Sequence, residues 1–472
     1  MRVCLILEGS YPYIHGGVSS WTDQLIRAMP DVEFVLLTIG PSRQKKGQFV
    51  YQLPENVKEV HECFLDEKQF LEPKRSYRFS FTEEESREIL DMMRCEDPDW
   101  DVIIPAFRRQ KYEPSAFLMS ETFMNLFTTM MNESFPRAPF AGTFYMERSM
   151  LLPVMGLLGA KIPEADFYHP VCTGYAGLLA VIAGNVTGKP VCLTEHGIYS
   201  REREEELIRS SWTTSDYKEQ WINFYYMLSS AIYKRAVCIT SLFQNASEIQ
   251  MELGAPAERC RVISNGIAYD RFCHIPLKKP DGFVDIGAPV RFAKIKDIKT
   301  MIYAFYEVTK SFPKARLHIL GSDEDKQYAD ECRQLVRDLK LDNVIMPGQV
   351  DMIAYYEKLD ITILTSLSEG QPLCTLESFA AGRPAVTTDV GCCRDLIFGA
   401  RGDTFGQAGY IARPMDASDI AQKILQLITS PEKIRIFGEN GKRRCEAFYQ
   451  RPMMVSKYRQ MYEEMEHGRN RI

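Results

Sequence analysis

The stretch DITILTSLSEGQPLCTLESFAAGRPAVTT, residues 360–388, decides the fold. It opens on an apolar run from Asp360 to Thr365, the pattern of a strand buried on both faces. Small and polar residues follow, and then Pro372, which suits the first turn of a helix. The helix is predicted over Pro372–Ala381, and Pro384–Thr388 reads as the next buried strand. Strand, loop, helix and strand in so short a span make a βαβ unit. Such units build a parallel sheet covered by helices on both faces.

Working outward, the same alternation continues. Phe283–Phe292 reads as a strand with its exit, and Asp297–Lys310 as an amphipathic helix with Ile298, Met301, Ile302, Phe305 and Val308 on one face. Ala315–Leu320 is a strand, Glu324–Leu339 a helix and Asn343–Met346 a short strand ending at Pro347-Gly348. The N-terminal part begins likewise, with a strand at Val3–Leu7, a Gly-containing loop, a helix bearing Val18, Trp21, Leu25, Ile26 and Met29, and a strand at Phe34–Thr38. From about 45 to 150 the pattern loosens and reads as an insertion. Strands return at Phe167–Tyr168, Pro190–Thr194, Val237–Thr240 and Arg261–Ile263. The Pro- and Lys-containing stretch His274–Gly282 marks the expected domain border. The expected organisation is therefore a first domain over 1–278, a second over 283–450, and a terminal segment 451–472. In that segment Met453, Met454, Tyr458, Met461 and Met465 recur at helical spacing, so the helix is expected to pack back on the first domain.

Bulk properties narrow the function. A chain of 472 residues calls for two domains. A net charge of -6 argues against a nucleic-acid partner, which usually meets a basic surface. No run approaches the roughly 18 apolar residues of a membrane span, and no signal-peptide pattern follows Met1. The thirteen cysteines include no C-x-x-C pair and read as free thiols of a reducing compartment. A cytoplasmic location is expected.

In parallel sheets of this kind ligands bind beyond the carboxyl ends of the strands, so the loops that follow strands are the ones to inspect. Tyr11–Val18 joins the first strand to the first helix, and its Gly16 and Gly17 would let a ligand approach the backbone and the helix start. A tight strand-to-helix turn explains the same residues. Arg291 and Lys296 lie just past the strand that opens the second domain, where two cations can neutralise a diphosphate. Solvated surface charge is the plainer reading. Glu369-Gly370-Gln371-Pro372-Leu373 leads into the helix that carries Glu377, about 7 Å deeper along the axis. The loop amides and the helix start form an anion seat, with one carboxylate placed to address a sugar and the other a ribose. His196 and Asn265-Gly266 also follow strands. Asp323-Glu324-Asp325 looks like a metal-binding acidic motif, but it sits at a helix start, where acids favour the macrodipole. No metal is expected.

Taken together, Gly16-Gly17, His196, Asn265-Gly266, Arg291 with Lys296, Gly321 and the Glu369-x7-Glu377 pair resemble glycosyltransferase family 4, of the GT-B fold. Leu7-Glu8-Gly9-Ser10-Tyr11-Pro12, Gly16-Gly17-Val18-Ser19, Ile295–Thr300 and Gly348-Gln349-Val350 look closer still to its PelF-type branch, the cytosolic glycosyltransferases of Pel-type exopolysaccharide systems. Around Arg291 the residues Ile286–Val290 and Phe292-Ala293 depart from the usual family pattern.

The resemblance implies two Rossmann-like doubly wound domains facing a central cleft, a UDP-hexose donor, retention at the anomeric carbon, a glycan acceptor and no cofactor. It implies that Arg291, Lys296 and the Gly17 backbone hold the diphosphate, and that Glu377 binds ribose. Glu369 and His196 would contact the hexose, and Gly348–Val350 would lie near the uracil. A membrane-embedded exporter or synthase partner follows from the same resemblance, with peripheral placement at the inner face of the membrane. A donor-binding subunit without turnover and a nucleotide-sugar epimerase are the other readings.

Overall fold

The computed structural model describes residues 1–65, 77–110, 113–210 and 215–467. They divide into two compact units: Met1–Val262 with the chain from Tyr458 onward, and Ile263–Lys457.

Among the described residues, seven strands organise the first unit. They are β1 (Arg2–Glu8), β2 (Glu33–Gly40), β3 (Val57–Phe64), β4 (Phe167–Pro170), β5 (Cys192–Glu195), β6 (Cys238–Ser241) and β7 (Cys260–Val262). Every pairing is parallel. The orders β3-β2-β1-β4 and β5-β6-β7 are joined by a bridge from Tyr168 to Val191. The run Val3–Leu7 is buried on both faces, as a central parallel strand must be. The strand order reverses between β1 and β4, which places a crevice over their carboxyl ends.

Within 45–150, the stretch read as an insertion, residues 57–64 are a strand of the sheet itself, β3, paired with β2. Helices Glu83–Met93, Trp100–Arg108, Pro114–Leu118, Glu121–Ser134 and Phe140–Leu158 follow. The first begins with a capping box, in which Thr82 and Glu85 satisfy each other's backbone N–H. Their apolar faces fill the core: Phe117 packs edge-on against Phe79, Phe107 and Phe123, and Ile103, Phe127, Met130 and Met150 are fully buried. The sequence pattern hides this layer for two reasons. Pro105 and Pro153 stand inside helices, where proline ordinarily signals a break. The β3 segment also mixes Lys58, Glu59 and Glu62 among its apolar residues.

The second unit holds β8 (Val284–Ala288), β9 (Ala315–Ile319), β10 (Val344–Ile345), β11 (Ile361–Leu364), β12 (Ala385–Thr388) and β13 (Gly409–Ala412). Their order is β10-β9-β8-β11-β12-β13, all parallel. This is the doubly wound order of dinucleotide-binding domains, and the reversal falls between β8 and β11. The helix predicted over Asp297–Lys310 occupies Ile298–Ser311, with the five predicted apolar residues buried. The helix predicted over Glu324–Leu339 occupies Lys326–Asp338. Pro372 is not in the first turn of its helix but is the cap before Leu373–Ala380.

Packing divides the chain after Val262, earlier than the expected 274–282. Main-chain bonds explain the shift. Ile267 N donates to Tyr449 O at 2.9 Å, Arg451 N donates to Ile267 O at 2.9 Å, and Asn265 N donates to Gln371 Oε1 at 2.7 Å. These tie 265–267 into the second unit. The last helix runs over Arg451–His467. Its later part belongs to the first unit, where Tyr462 Oη is 2.8 Å from His169 Nδ1 and Arg459 donates to Asp31 at 2.6 and 2.8 Å. Met454, Tyr458, Met461 and Met465 are buried, whereas Met453 is exposed. No described helix is long and apolar enough to cross a membrane.

Candidate active site

In the second unit the loops after β8 and β11 flank the strand-order reversal, and the structure laces them together. Thr365 Oγ1 donates to the carbonyls of Lys296 at 3.0 Å and Asp297 at 3.2 Å, and Leu367 N donates to Ile295 O at 2.8 Å. These bonds bring Lys296 Nζ to 2.6 Å from Glu369 Oε1, with both side chains largely shielded from solvent. Ser366 Oγ donates to the same carboxylate oxygen at 2.5 Å. The loop after β12 supports the arrangement from below. Cys392 N donates to Gly370 O at 3.1 Å, and Gly391 adopts a φ of +53° where any Cβ would collide with the carbonyl oxygens of Glu369 and Gly370. Only glycine satisfies both demands.

Helix Leu373–Ala380 starts beside this pair, and no side chain among the described residues caps its first N–H groups, which suits them to an anion in the same crevice. Gln371 is buried and spent on Asn265, whereas Asn265 Oδ1 is buried without a partner among the described residues. Glu377 lies one turn into the helix. Burial raises its carboxyl to about 7, against the opposing influence of Arg271 and Arg451.

Other predicted residues stand apart. Arg291 does not join Lys296 and Glu369: its guanidinium is half exposed and pairs with Glu324. Gly348-Gln349-Val350 follows β10 at the sheet's edge, three strand positions from β11 and so about 14 Å away at the usual strand spacing. Gly348 has a φ of +81°, and Gln349 is exposed.

Gly16, Gly17 and His196 belong to the first unit. Gly16 caps helix Gly17–Arg27, and a Cβ on either glycine would meet no atom within 4 Å. Packing within the unit therefore does not explain the two glycines. Close approach of a ligand would. His196 follows β5, with its ring edge-on to Trp21 at 4.6 Å. Its Nε2 and the Trp21 indole N–H are buried without partners among the described residues. Burial lowers the His196 ring to about 4, so it is neutral near pH 7. The preceding Glu195 anchors the loop, accepting from Tyr233 Oη at 2.7 Å, Gln250 Nε2 at 2.9 Å and Tyr199 N at 3.0 Å.

Several residues of these sites escaped the sequence reading: Ser366, Gly391, Arg271, Arg451, Trp21 and Glu195. Ser366 and Glu195 had a usable signal, since each stands at the carboxyl end of an apolar strand. Gly391, Arg271 and Arg451 had none, because their neighbours are remote in sequence.

Comparison with known proteins follows these two halves. Residues 1–258 match the family described as "Domain of unknown function (DUF3492)", and residues 284–430 match "Glycosyl transferases group 1". CapM of Staphylococcus aureus, a capsular polysaccharide biosynthesis glycosyltransferase, is 26% identical over 209 residues, which are 42% of this chain and 53% of that protein. The poly(glycerol-phosphate) alpha-glucosyltransferase of Bacillus subtilis is 30% identical over 171 residues, 36% of this chain and 24% of that one. The matches thus span about half of the first relative and a quarter of the second. Anabaena HepE, solved in complex with UDP-glucose, is 13% identical with a TM-score of 0.60, covering 98% of this chain and 99% of that one. This likeness shows the shared GT-B fold. The chain belongs to the DUF3492 family, and its second unit carries a group 1 glycosyl transferase domain.

Proposed function

We propose that this protein is a retaining glycosyltransferase that moves a hexose from a UDP-sugar to a growing exopolysaccharide. The carrying observation is the meeting of Lys296 and Glu369 at the strand-order reversal of the second unit, beside a helix start. A departing diphosphate needs fixed positive charge, and a lysine with helix N–H groups supplies it in a shielded place. HepE, a structural neighbour, binds UDP-glucose, and CapM acts in capsular polysaccharide synthesis. The opening motif Leu7–Pro12 favours a Pel-type system for this chain.

Among the described residues, Glu369 is already engaged by Lys296 and Ser366. A double displacement would need a free enzymic nucleophile, so a same-face displacement fits better. There the leaving phosphate oxygen takes the acceptor's proton, and catalysis reduces to positioning and charge stabilisation. Lys296 and the helix start supply that charge, joined by Arg291 once a phosphate displaces Glu324 from it, and the reading requires no metal or cofactor. Purified protein incubated with UDP-glucose and acceptor glycan should release UDP and form a product with retained anomeric configuration, followed by NMR. Binding of UDP-glucose without UDP release would instead make the chain a donor-binding subunit, and recovery of an altered UDP-hexose would make it an epimerase.

The two carboxylates should respond differently to removal. Glu377→Ala should mainly raise KM, because ribose contacts are equal in the ground and transition states. Glu369→Ala should lower kcat by about 10–100-fold, the size of a lost hydrogen bond to a charged group. Steady-state kinetics with varied donor decide the matter, and a kcat loss confined to Glu377→Ala would reverse the assignment. Because the Glu377 carboxyl is raised to about 7, its anion forms as pH climbs through that value. Donor affinity should rise over the same range, and Glu377→Gln should flatten the profile.

Gly17→Ala separates packing from ligand approach. The new methyl meets open space at the first helical position, so the folding stability should hold or rise by up to about 1 kcal/mol of helix preference, read as an unchanged or higher melting temperature. Transfer should fall nonetheless. Unchanged transfer would remove the glycine loop from the site.

A further inference from the structure

Arg291, the second cation read as a diphosphate ligand, is held by a carboxylate that the sequence reading treated as a helix-start acid. Its guanidinium pairs with Glu324. This pair is delivered by the main chain. Phe292 N donates to Ser322 O at 2.9 Å, and Asp325 N donates to Phe292 O at 2.9 Å. Gly321 lies so close beneath Val290 that a Cβ would collide with the Val290 carbonyl. The loop after β9 is thus stitched along the loop after β8, and Glu324 is set beside Arg291. The adjacent acids serve elsewhere: Asp323 accepts from Arg333 at 2.7 and 2.8 Å, and Asp325 caps helix Lys326–Asp338 by accepting from Tyr328 N at 3.0 Å. Glu324 alone of the three faces the expected phosphate cation.

We propose that Glu324 is a built-in competitor of the donor diphosphate, holding Arg291 until the phosphate oxygens exchange for it and thereby setting donor affinity. The proposal rests on the reading of Arg291 as a diphosphate ligand. Carboxylate and phosphate present the same kind of oxygen acceptors to a guanidinium, so they compete for its N–H groups. Glu324 also places a negative charge where an anionic ligand must arrive. Both effects weaken binding, and both are screened by salt because the pair is half exposed.

The test is calorimetric binding of UDP to the full chain and to Glu324→Gln, Arg291→Ala and the double variant, at low and high salt. Glu324→Gln keeps the shape of the side chain and removes its charge. UDP should bind this variant about two- to fivefold more tightly at low salt, the scale of an exposed ion pair. The gain should shrink at high salt and be smaller in the Arg291→Ala background, where only the direct repulsion by Glu324 remains. Unchanged or weaker binding by Glu324→Gln, an equal gain without Arg291, or an Arg291→Ala variant that binds UDP like the parent would each overturn the proposal. Failure of the parent chain to bind UDP would instead bring down the nucleotide-sugar reading itself.

Discussion

Lys296→Ala should lower glycosyl transfer by about 10²–10³-fold, the cost of removing one electrostatic stabiliser from a developing charge. The ammonium group lies 2.6 Å from Glu369 in a shielded crevice, where charge acts more strongly than in water. The loop does not depend on that group. Thr365 holds it through the carbonyls of Lys296 and Asp297, and Leu367 holds it through Ile295 O, all main-chain acceptors. Glu369 keeps the bond from Ser366. The variant should therefore melt close to the parent while its UDP release collapses. Lys296→Met, which retains the aliphatic stem, should lose the same activity. Arg291→Ala should act in the same direction with little effect on folding, since its side chain is half exposed. Normal melting together with normal turnover in both Lys296 variants would sink the phosphate assignment.

Asp285→Ala should destabilise the second unit by about 3–5 kcal/mol, the usual loss on breaking a buried ion pair from one side. Asp285 is 1% exposed, at the start of β8. Its carboxylate accepts from Arg316 Nε and a terminal guanidinium nitrogen, each at 2.6 Å, and from Lys278 Nζ at 2.5 Å; His318 Nε2 lies 2.7 Å away. Removal would strip one of three carboxylates from Lys278, whose side chain is 8% exposed, leaving it Asp281, Asp360 and the Phe283 carbonyl. Burial alone would raise the Asp285 pKa, but the bonds from His318, Arg316 and Lys278 outweigh it and hold the carboxyl well below the ordinary carboxylate range. A depressed folded pKa gives stabilisation that is complete above the unfolded value of about 3.9 and is lost as pH falls below it. Urea unfolding from pH 7 down to pH 3 should show the parent beginning to lose this stability below about pH 4, with Asp285→Ala showing less dependence. A loss under about 1 kcal/mol at pH 7 would mean the network is incidental.

Much of this protein was legible before its structure because central parallel strands are short unbroken apolar runs. Val3–Leu7 announces itself in this way, Ile361–Leu364 does so with one threonine, and Ile298–Val308 shows its helical period as plainly. The strand–loop–helix logic also marked the loops after β8 and β11 as the places to inspect, since residues beyond strand ends are exposed to ligands whatever the strand order. What local pattern could not supply is adjacency. Lys296 and Glu369 stand 73 residues apart, and they meet because β8 and β11 are neighbours in the order β10-β9-β8-β11-β12-β13. The partners of Arg291, the obligatory glycine at 391 and the raised carboxyl of Glu377 likewise come from segments that only folding brings together. The layer between 77 and 158 was hidden for a related reason. Its helices tolerate Pro105 and Pro153, and β3 tolerates its charges, through tertiary packing that overrides local preference. The sequence alone determined the class of fold and which loops follow the carboxyl ends of strands, because both follow from local period and turn chemistry. The tertiary structure decided which charges face one another, because pair energies depend on distance and burial, and neither is written in the order of residues.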